Sequence, residues 1–245
     1  MRHKGIALWS AAALAAAASG SAFAAQPSYD YVQFAYGTSS TSEFSNNFGS
    51  EDLDVDIYNL MVSGSFGGNW HAMLAYNDAE LDDTFFGNSF KVESDGFNIV
   101  VGAHLPVTED SLVYFDVQYF DYDGDETSSF SSGSTDFDNT GYGFATGIRW
   151  MITDSIEVEG GIAWVDGEED YKNSSNDEYD YTTFARKLGG RYHWTPNFST
   201  GINYIDGGSS GGVYGSDTSD AVSFDIRWTF GGPLSDSFGG SSDSY

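Results

Sequence analysis

The sequence contains no cysteine, and this absence excludes disulfide bonds and zinc–thiolate sites together. Proline is scarce, with 4 in 245 residues, which suits a protein built from uninterrupted strands. Long apolar runs are also missing: beyond the N-terminus, no stretch approaches the roughly 20 apolar residues that a membrane-spanning helix needs. The chain must therefore be stabilised by hydrogen bonding and side-chain packing, without covalent cross-links or an apolar helical anchor.

Basic residues are few as well, and 9 Lys and Arg stand against 37 Asp and Glu, for a formal net charge of −28 at pH 7. A chain this acidic repels the phosphate backbone, so we exclude nucleic acid as a partner. Enzyme signatures are missing too: the sequence has no G-x-S-x-G, no H-E-x-x-H and no Gly-rich phosphate loop. We therefore predict that the protein is not an enzyme, and a hydrolase is the least favoured function.

The first 24 residues have the features of a secretory leader. A basic start, Met1 to Lys4, precedes an Ala-rich apolar run, and Ala22-Phe23-Ala24 matches a small-residue cleavage site. We predict a signal peptide over 1–24 and an exported mature chain.

Strict alternation of apolar and polar residues is what the sequence has in abundance. Successive side chains of a strand point to opposite faces, so such alternation indicates a strand with one apolar face. The segment Ala221–Phe230 is the clearest case, because Val222, Phe224, Ile226, Trp228 and Phe230 share one face. Counting this segment, we predict ten strands, at 28–38, 57–66, 70–77, 96–105, 112–120, 140–151, 156–165, 182–194, 198–205 and 221–230. Eight strands remain the alternative if the last hairpin is misread.

The links between the predicted strands alternate between short and long. Four are short, 67–69, 106–110, 152–155 and 195–197, and five are long, 39–56, 78–95, 121–139, 166–180 and 206–220. The long links hold most of the acidic residues. Short turns on one rim and long loops on the other are typical of outer-membrane barrels, in which the short turns are periplasmic. An even number of strands places both ends of the barrel at that rim.

Aromatic residues form two belts at the ends of the predicted apolar faces, as expected at the two interfaces of a membrane. The belt near the short turns comprises Phe66, Trp70, Trp150, Trp194, Phe198, Trp228 and Phe230. The belt near the long links comprises Tyr36, Tyr58, Tyr76, Phe97, Tyr119, Tyr142, Trp164, Phe184 and Tyr204.

The leader, the ten alternating segments, the acidic links and a last strand that ends in Trp228-Thr229-Phe230 resemble a small Gram-negative outer-membrane β-barrel protein of the porin-like superfamily. The resemblance implies an all-β, antiparallel, up-and-down transmembrane barrel over 25–230, located in the cell outer membrane. It also implies that the barrel contacts outer-membrane lipids, and that the assembly machinery recognises the terminal strand through Trp228 and Phe230. We expect a monomer.

One feature departs from that family, because the chain continues past Phe230 with a Gly/Ser-rich tail, Gly231–Tyr245. Either Phe230 or Tyr245 could then serve as the terminal aromatic signal, and the alternation favours Phe230.

Charged residues fall on the inward faces of several predicted strands. The set comprises Asp116, Arg149, Glu157, Glu159, Lys187, Arg191, Asp225 and Arg227. Burying charge is costly unless it is paired, so a mutual network that fills the lumen is one interpretation. A narrow cation-selective channel is the alternative, favoured by the many inward glycines of the sixth strand because they leave room. Arg149 and Glu157 should lie directly opposite each other if Thr153 is the centre of their turn.

Metal binding by these residues has little support. His71, His104 and His193 all face inward, but the eighth strand should lie across the barrel from the third and fourth. The segment Asp121–Glu126 resembles the start of a calcium loop, yet it has Glu126 and Ser132 where an EF-hand needs Gly and Glu. We predict no cofactor. Weak Ca²⁺ or Mg²⁺ binding at the acidic rim remains an alternative to a purely solvated rim.

Arg186 is adjacent to Lys187, so one of the two must face lipid in a regular strand. A lipid-facing Arg costs roughly 2–4 kcal/mol at the midplane but about 0–1 near an interface. Because Arg186 lies two positions from the girdle residue Phe184, we predict that it contacts lipid phosphate.

Overall fold

The computed structural model describes residues 29–41, 53–85, 88–108, 110–128, 133–172, 177–211 and 216–230, and over these ranges it is all-β. The predicted leader and the predicted tail lie outside the described residues. The ten strands are β1 (Tyr31–Thr41), β2 (Leu53–Phe66), β3 (Trp70–Phe85), β4 (Asn88–Thr108), β5 (Ser111–Ser128), β6 (Gly133–Thr153), β7 (Ile156–Tyr171), β8 (Asp177–Thr195), β9 (Phe198–Gly211) and β10 (Ser216–Thr229). In the described part of the chain, no helix is long and apolar enough to cross a membrane.

The strands form one closed barrel in which each strand pairs antiparallel with its neighbours in sequence. The first and last strands complete the circle, in register from Tyr31 opposite Thr229 to Thr41 opposite Ser219. Closure leaves the barrel wall without an unpaired strand edge, which is what a β-structure surrounded by lipid requires. The predicted up-and-down barrel of ten strands is confirmed, and the eight-stranded alternative is wrong.

The strands are longer than predicted at the rim where the long links lie. β4 was predicted over 96–105 and runs from Asn88 to Thr108, and β5 was predicted over 112–120 and extends to Ser128. Much of the sequence interpreted as acidic loops is therefore strand. β5 continues nine residues past Tyr119, or about 30 Å along the strand at roughly 3.3 Å per residue.

Below, the short-turn end of the barrel is called lower and the end with the long links upper. In the upper extensions apolar and polar residues still alternate, but the apolar side chains face inward and the polar ones outward. In β2, Asp54 and Asp56 are exposed, whereas Val55 and Ile57 are buried in the lumen. Lower in the same strand, Leu60 and Val62 face outward. Apolar side chains thus face lipid in the lower part of the wall and face the lumen in the upper part, where water replaces lipid outside. A prediction that places every apolar face of a strand toward lipid therefore misses these extensions.

Two outer surfaces follow from this reversal. The membrane band is the apolar wall between the short turns and the upper aromatic belt, and its aromatic and aliphatic side chains are about half exposed. The acidic collar is the outer wall above that belt. Its exposed carboxylates include Asp54, Asp56, Asp78, Glu80, Asp82, Glu93, Asp95, Asp123, Asp136, Glu168, Asp170, Glu178, Asp180, Asp206 and Asp220.

Three of the four short turns share one threonine-based geometry. The Thr153 Oγ1 accepts hydrogen bonds from the backbone N–H groups of Ser155 at 3.3 Å and Ile156 at 3.0 Å. Thr195 makes the equivalent pair of bonds, and Thr108 accepts one from the Asp110 N–H at 3.3 Å. A register shift accompanies each of these threonines. The fourth turn instead uses Gly67 and Gly68 at positive φ, which glycine adopts without strain.

The register shift at Thr153 corrects one prediction. Arg149 lies opposite Glu159 in the ladder, and Glu157 lies opposite Met151. Thr153 pairs with Ile156, so the turn is centred between residues 154 and 155 and not at 153, and the bulge then inserts one residue into β6. The Arg149 side chain nevertheless reaches Glu157 diagonally.

Candidate functional site

One half of the inward charge set is centred on Arg149, whose side chain is 1% exposed. Its Nη2 makes a close ion pair with the Glu157 carboxylate, and its Nε lies 3.9 Å from the Glu159 Oε2. The Glu159 Oε1 accepts hydrogen bonds from the Lys187 Nζ and from the Tyr114 hydroxyl, both at 3.0 Å. Two carboxylates therefore share two cations within a volume that side chains fill.

The other half spans the seam between the first and last strands. The Arg191 Nη2 lies 2.6 Å from the Asp225 Oδ1, and the Arg191 Nη1 donates to the Ser199 hydroxyl at 3.1 Å. The Arg227 Nε donates to the Gln33 Oε1 at 2.8 Å. The Arg227 guanidinium also sits 4.0 Å from the centroid of an aromatic ring, that of Tyr31. Gln33 and Tyr31 face inward in the sequence pattern, but only closure of β1 on β10 brings them to Arg227.

Asp116 lies apart from the other charged side chains. Its Oδ1 is 3.0 Å from the His71 Nε2, and both side chains are buried. His193 makes a similar pair, with its Nε2 3.1 Å from the Glu157 Oε2. His71 and His104 lie side by side, with ring centroids 6.0 Å apart, whereas His193 belongs to the Arg149 group. The three histidines are distributed between two clusters.

These contacts give the lumen charges a local balance. The eight residues are four acids and four bases, and all of them face inward. Pairing offsets part of the cost of burying a charge, and removing one partner of a buried pair is strongly destabilising. This layer therefore acts as a polar filling of the membrane band.

The inward glycines do not leave the lumen open. A Cβ atom at Gly147 would lie 2.5 Å from the Tyr114 hydroxyl oxygen, and one at Gly143 would lie 2.8 Å from the Gln118 Nε2. At Gly141 a Cβ would overlap the ring of Phe120. The space that the glycines leave is thus occupied by long side chains from the neighbouring strand β5. The argument that these glycines favour a pore is wrong, because it considered one strand without its neighbours.

Above the charge layer, apolar and aromatic side chains fill the barrel. The upper cluster comprises Val55, Ile57, Ala79, Leu81, Val92, Phe120, Tyr122, Phe137, Val165, Tyr171 and Tyr181, with Tyr179 packed against it. Hydrogen bonds inside the barrel orient its tyrosines: the Asn77 Nδ2 donates to the Tyr122 hydroxyl at 3.0 Å, and the Tyr181 hydroxyl donates to the Asn139 Oδ1 at 2.9 Å. The sequence carried a signal for this cluster in the inward apolar positions of the acidic segments.

A cavity of about 30 Å³ lies between β1, β2, β9 and β10, and its lining includes the small residues Ala35, Gly37 and Ala221. At roughly 10–15 Å³ per water by this measure, it could hold about two water molecules. It is too small for an organic solute.

Arg186 lies on the outer wall, and Lys187 lies inside. The Arg186 side chain is 72% exposed, with its Nη1 3.9 Å from the Asp206 Oδ2 and its guanidinium 6.0 Å from the centroid of the Phe184 ring. The distance to Asp206 is at the limit of an ion pair, so most of the guanidinium faces outward. Contact with lipid phosphate stays a prediction.

The acidic collar contains a tight group of three exposed carboxylates, Glu168, Asp170 and Glu178, with ligand oxygens within 4.8 Å of one another. Repulsion by Glu178, followed by partial desolvation and by Asp170, raises the pKa of Glu168 above its ordinary value. The segment Asp121–Glu126 is part of β5, so its carboxylates are arranged on a strand and not around a loop. Weak Ca²⁺ or Mg²⁺ binding at the collar stays a prediction.

We expect Glu168→Gln to stabilise the barrel at neutral pH, because it removes repulsion from Glu178. A carboxyl with a raised folded-state pKa binds its proton more tightly in the folded state, so wild-type stability should rise as pH falls through that pKa. The advantage of the variant should therefore shrink below pH 7 and vanish where Glu168 is protonated in both states. Urea unfolding at several pH values measures this. Asp154→Asn, in a short turn, is the control; a gain for Glu168→Gln that does not depend on pH would contradict the prediction.

The comparisons with known proteins give distant similarities. No protein-family model matches the chain, and no curated protein matches it. An outer membrane channel from Pseudomonas putida F1 has a TM-score of 0.48 at 11% identity, covering 86% of this chain and 99% of that chain. The β domain of the Bordetella autotransporter BrkA has a TM-score of 0.47 at 12% identity, covering 82% and 100%. The outer membrane protease OmpT from Escherichia coli has a TM-score of 0.46 at 9% identity, covering 82% and 97%.

The class of the protein follows from its own geometry. A closed antiparallel barrel with an apolar outer band, bounded by aromatic belts and filled with polar side chains inside, is a transmembrane β-barrel. Similarity at this level concerns the fold, and the barrels above include a channel, a protease and an autotransporter domain. The activity of this chain must be argued from its own lumen and surface.

Proposed function

We propose that this protein is a non-catalytic barrel of the Gram-negative outer membrane, with a surface or structural role and no conducting pore. The observation that carries the proposal is the filling of the lumen. Paired charges occupy the membrane band, and the upper cluster occupies the barrel above it. A barrel filled in this way presents its outer wall, and not its interior, to other molecules.

The acidic collar supports the surface role. The extended strands carry it as part of the closed barrel, so its carboxylates are held on a hydrogen-bonded wall and not on separate loops. With the short turns in the periplasm, the collar projects outside the cell. The high negative charge would keep this projection hydrated and would attract cations to it.

The test of the proposal is the conductance of the purified protein in a planar bilayer under a salt gradient. We expect no steady openings from protein shown to be folded and inserted, since the inward side chains block the path. Steady cation-selective openings would overturn the proposal and favour a narrow cation-selective channel. A hydrolytic activity that is abolished by His104→Ala would instead favour an enzyme.

We further propose that Arg186 holds the phosphate of an outer-membrane lipid at the upper interface. Its exposed guanidinium lies beside the girdle residue Phe184, from which a long side chain can extend to the headgroups. Arg186→Glu should then lower stability in membranes that contain lipopolysaccharide and change it little in a neutral detergent. Arg186→Lys, which keeps the charge, is the matched control. Equal losses of stability in both environments would contradict the lipid contact.

The terminal strand is proposed to be the segment read by the barrel-assembly machinery. Trp228 is 56% exposed and Phe230 is 45% exposed on the outer wall. Both are therefore accessible on the side of the strand that faces away from the lumen.

A further inference from the structure

Tyr29 and Asp30, the two described residues before β1, lie at the short-turn end of the barrel, and the Tyr29 side chain enters the lumen. Tyr29 lies outside the strand, yet its side chain is only 1% exposed. Its ring stacks on the His71 imidazole, with centroids 3.8 Å apart and an interplanar angle of 5°. The His104 ring is 4.3 Å away, and Leu112 and Tyr114 pack around the same site. A planar aromatic ring thus fills a pocket with imidazole walls.

Asp30 anchors this segment to the barrel wall. Its Oδ1 accepts hydrogen bonds from the Ser65 N–H at 2.8 Å and from the Ser65 hydroxyl at 3.1 Å. Its backbone carbonyl accepts a hydrogen bond from the Phe230 N–H at 2.9 Å. The segment is therefore held at β2 and at the end of β10, without the continuous ladder that begins at Tyr31.

A glycine on the barrel wall forms the base of this pocket. Gly102 lies under the His71–Asp116 pair, and a Cβ atom there would meet the His71 Nε2 at 2.5 Å. The missing side chain lets the imidazole lie against the wall, with its Nε2 3.0 Å from the Asp116 Oδ1. This arrangement leaves one face of the imidazole ring available, and the Tyr29 ring stacks on that face.

We propose that Tyr29 is an internal stopper, and that the pocket beneath it is a binding site for a planar aromatic ring of phenol type that opens toward the short turns. Tyr29 is the resident ligand and is covalently tethered by the chain. Its effective concentration in the pocket is therefore high, and a free phenol binds only when the stopper is removed. The upper cluster closes the other end of the lumen, so the site takes ligand from one side only.

The test is chemical modification of the histidines in the protein purified from its membrane. In Tyr29→Ala, diethylpyrocarbonate should modify His71 about tenfold faster or more than in the wild type, because its covering ring is gone. Adding p-cresol should restore protection. Tyr29→Phe, which keeps the ring, should match the wild type, and His193, which pairs with Glu157, should react equally in all variants. Modified sites are assigned by mass spectrometry.

Two results would overturn the proposal. If His71 stays protected in folded Tyr29→Ala, then other side chains cover it and Tyr29 is no stopper. If His71 becomes reactive but p-cresol gives no protection, then the pocket does not bind a free aromatic ring. Should Tyr29→Ala fail to fold, Asp30→Ala keeps the ring and removes the side-chain hydrogen bonds to Ser65. The Phe230 N–H still bonds the Asp30 backbone carbonyl, so the ring should leave the pocket only part of the time and His71 should be modified faster than in the wild type. A rate equal to that of the wild type would overturn Tyr29 as a removable stopper.

Discussion

Replacing Arg149 with methionine is expected to destabilise the barrel by about 3–5 kcal/mol, the range found when one partner of a buried ion pair is removed. The substitution keeps most of the side-chain volume but leaves Glu157 and Glu159 without their shared cation. Glu157 retains His193, and Glu159 retains Lys187 and the Tyr114 hydroxyl. These contacts moderate the loss without replacing the charge at the centre of the cluster.

The measurement is the free energy of unfolding in urea, with the protein in detergent micelles or lipid vesicles. A second variant, Arg149→Met with Glu157→Gln, removes both charges of the closest pair and should recover part of the loss. Arg186→Met, on the outer wall, is the control for removing an arginine, and it is measured in neutral detergent, where no lipid phosphate is present. A loss below about 1 kcal/mol for Arg149→Met would match a solvent-screened pair and would contradict a buried network.

Truncating Phe120 to alanine should cost a similar amount, about 3–5 kcal/mol, because the cavity lies in a packed interior that relaxes only partly. Phe120 is fully buried, packs beside Tyr122 with ring centroids 5.6 Å apart, and covers Gly141. No side chain at Gly141 can move into the vacated volume. The loss of stability should therefore lie near the upper end of that range.

Urea unfolding again provides the measurement, and Tyr119→Ala is the matched control. Tyr119 is the adjacent aromatic residue on the same strand, but its side chain faces outward and is 45% exposed. We expect the control to lose much less. Equal losses for Phe120→Ala and Tyr119→Ala would show that the upper cluster is not a packed core, and they would weaken the argument for a sealed lumen.

The faces of the strands in the membrane band could be assigned from the sequence, because lipid outside the barrel requires apolar side chains on the outward face. Leu60, Val62 and Phe224 face outward for the same reason that Gln33 and Asn59 face inward. The acidic extensions followed the opposite rule, since water lies outside them. Their alternation was visible in Asp54-Val55-Asp56-Ile57, but its interpretation as loop ignored the inward apolar positions.

The pairing of the lumen charges was less accessible to sequence reasoning. Inward orientation is local, whereas partners such as Arg227 with Gln33 are separated by 194 positions and meet only when the barrel closes. The bulge at Thr153 then moved Arg149 opposite Glu159, because one extra residue changes the register of the strands around that turn. A turn centre guessed from sequence could not supply that shift.

The sequence by itself determined a ten-stranded barrel with an apolar wall, aromatic belts and inward charges, because a period of two and the polarity of each face are local properties of a strand. Whether the lumen is filled was decided only by the tertiary structure. Gly141 and Gly147 suggest an open lumen when β6 is considered alone, but the side chains of Phe120 and Tyr114 on β5 occupy the space beside them. Packing depends on which strand lies next to which and in what register, and on the entry of Tyr29 from outside the strands. These are relations between distant residues that no single strand encodes.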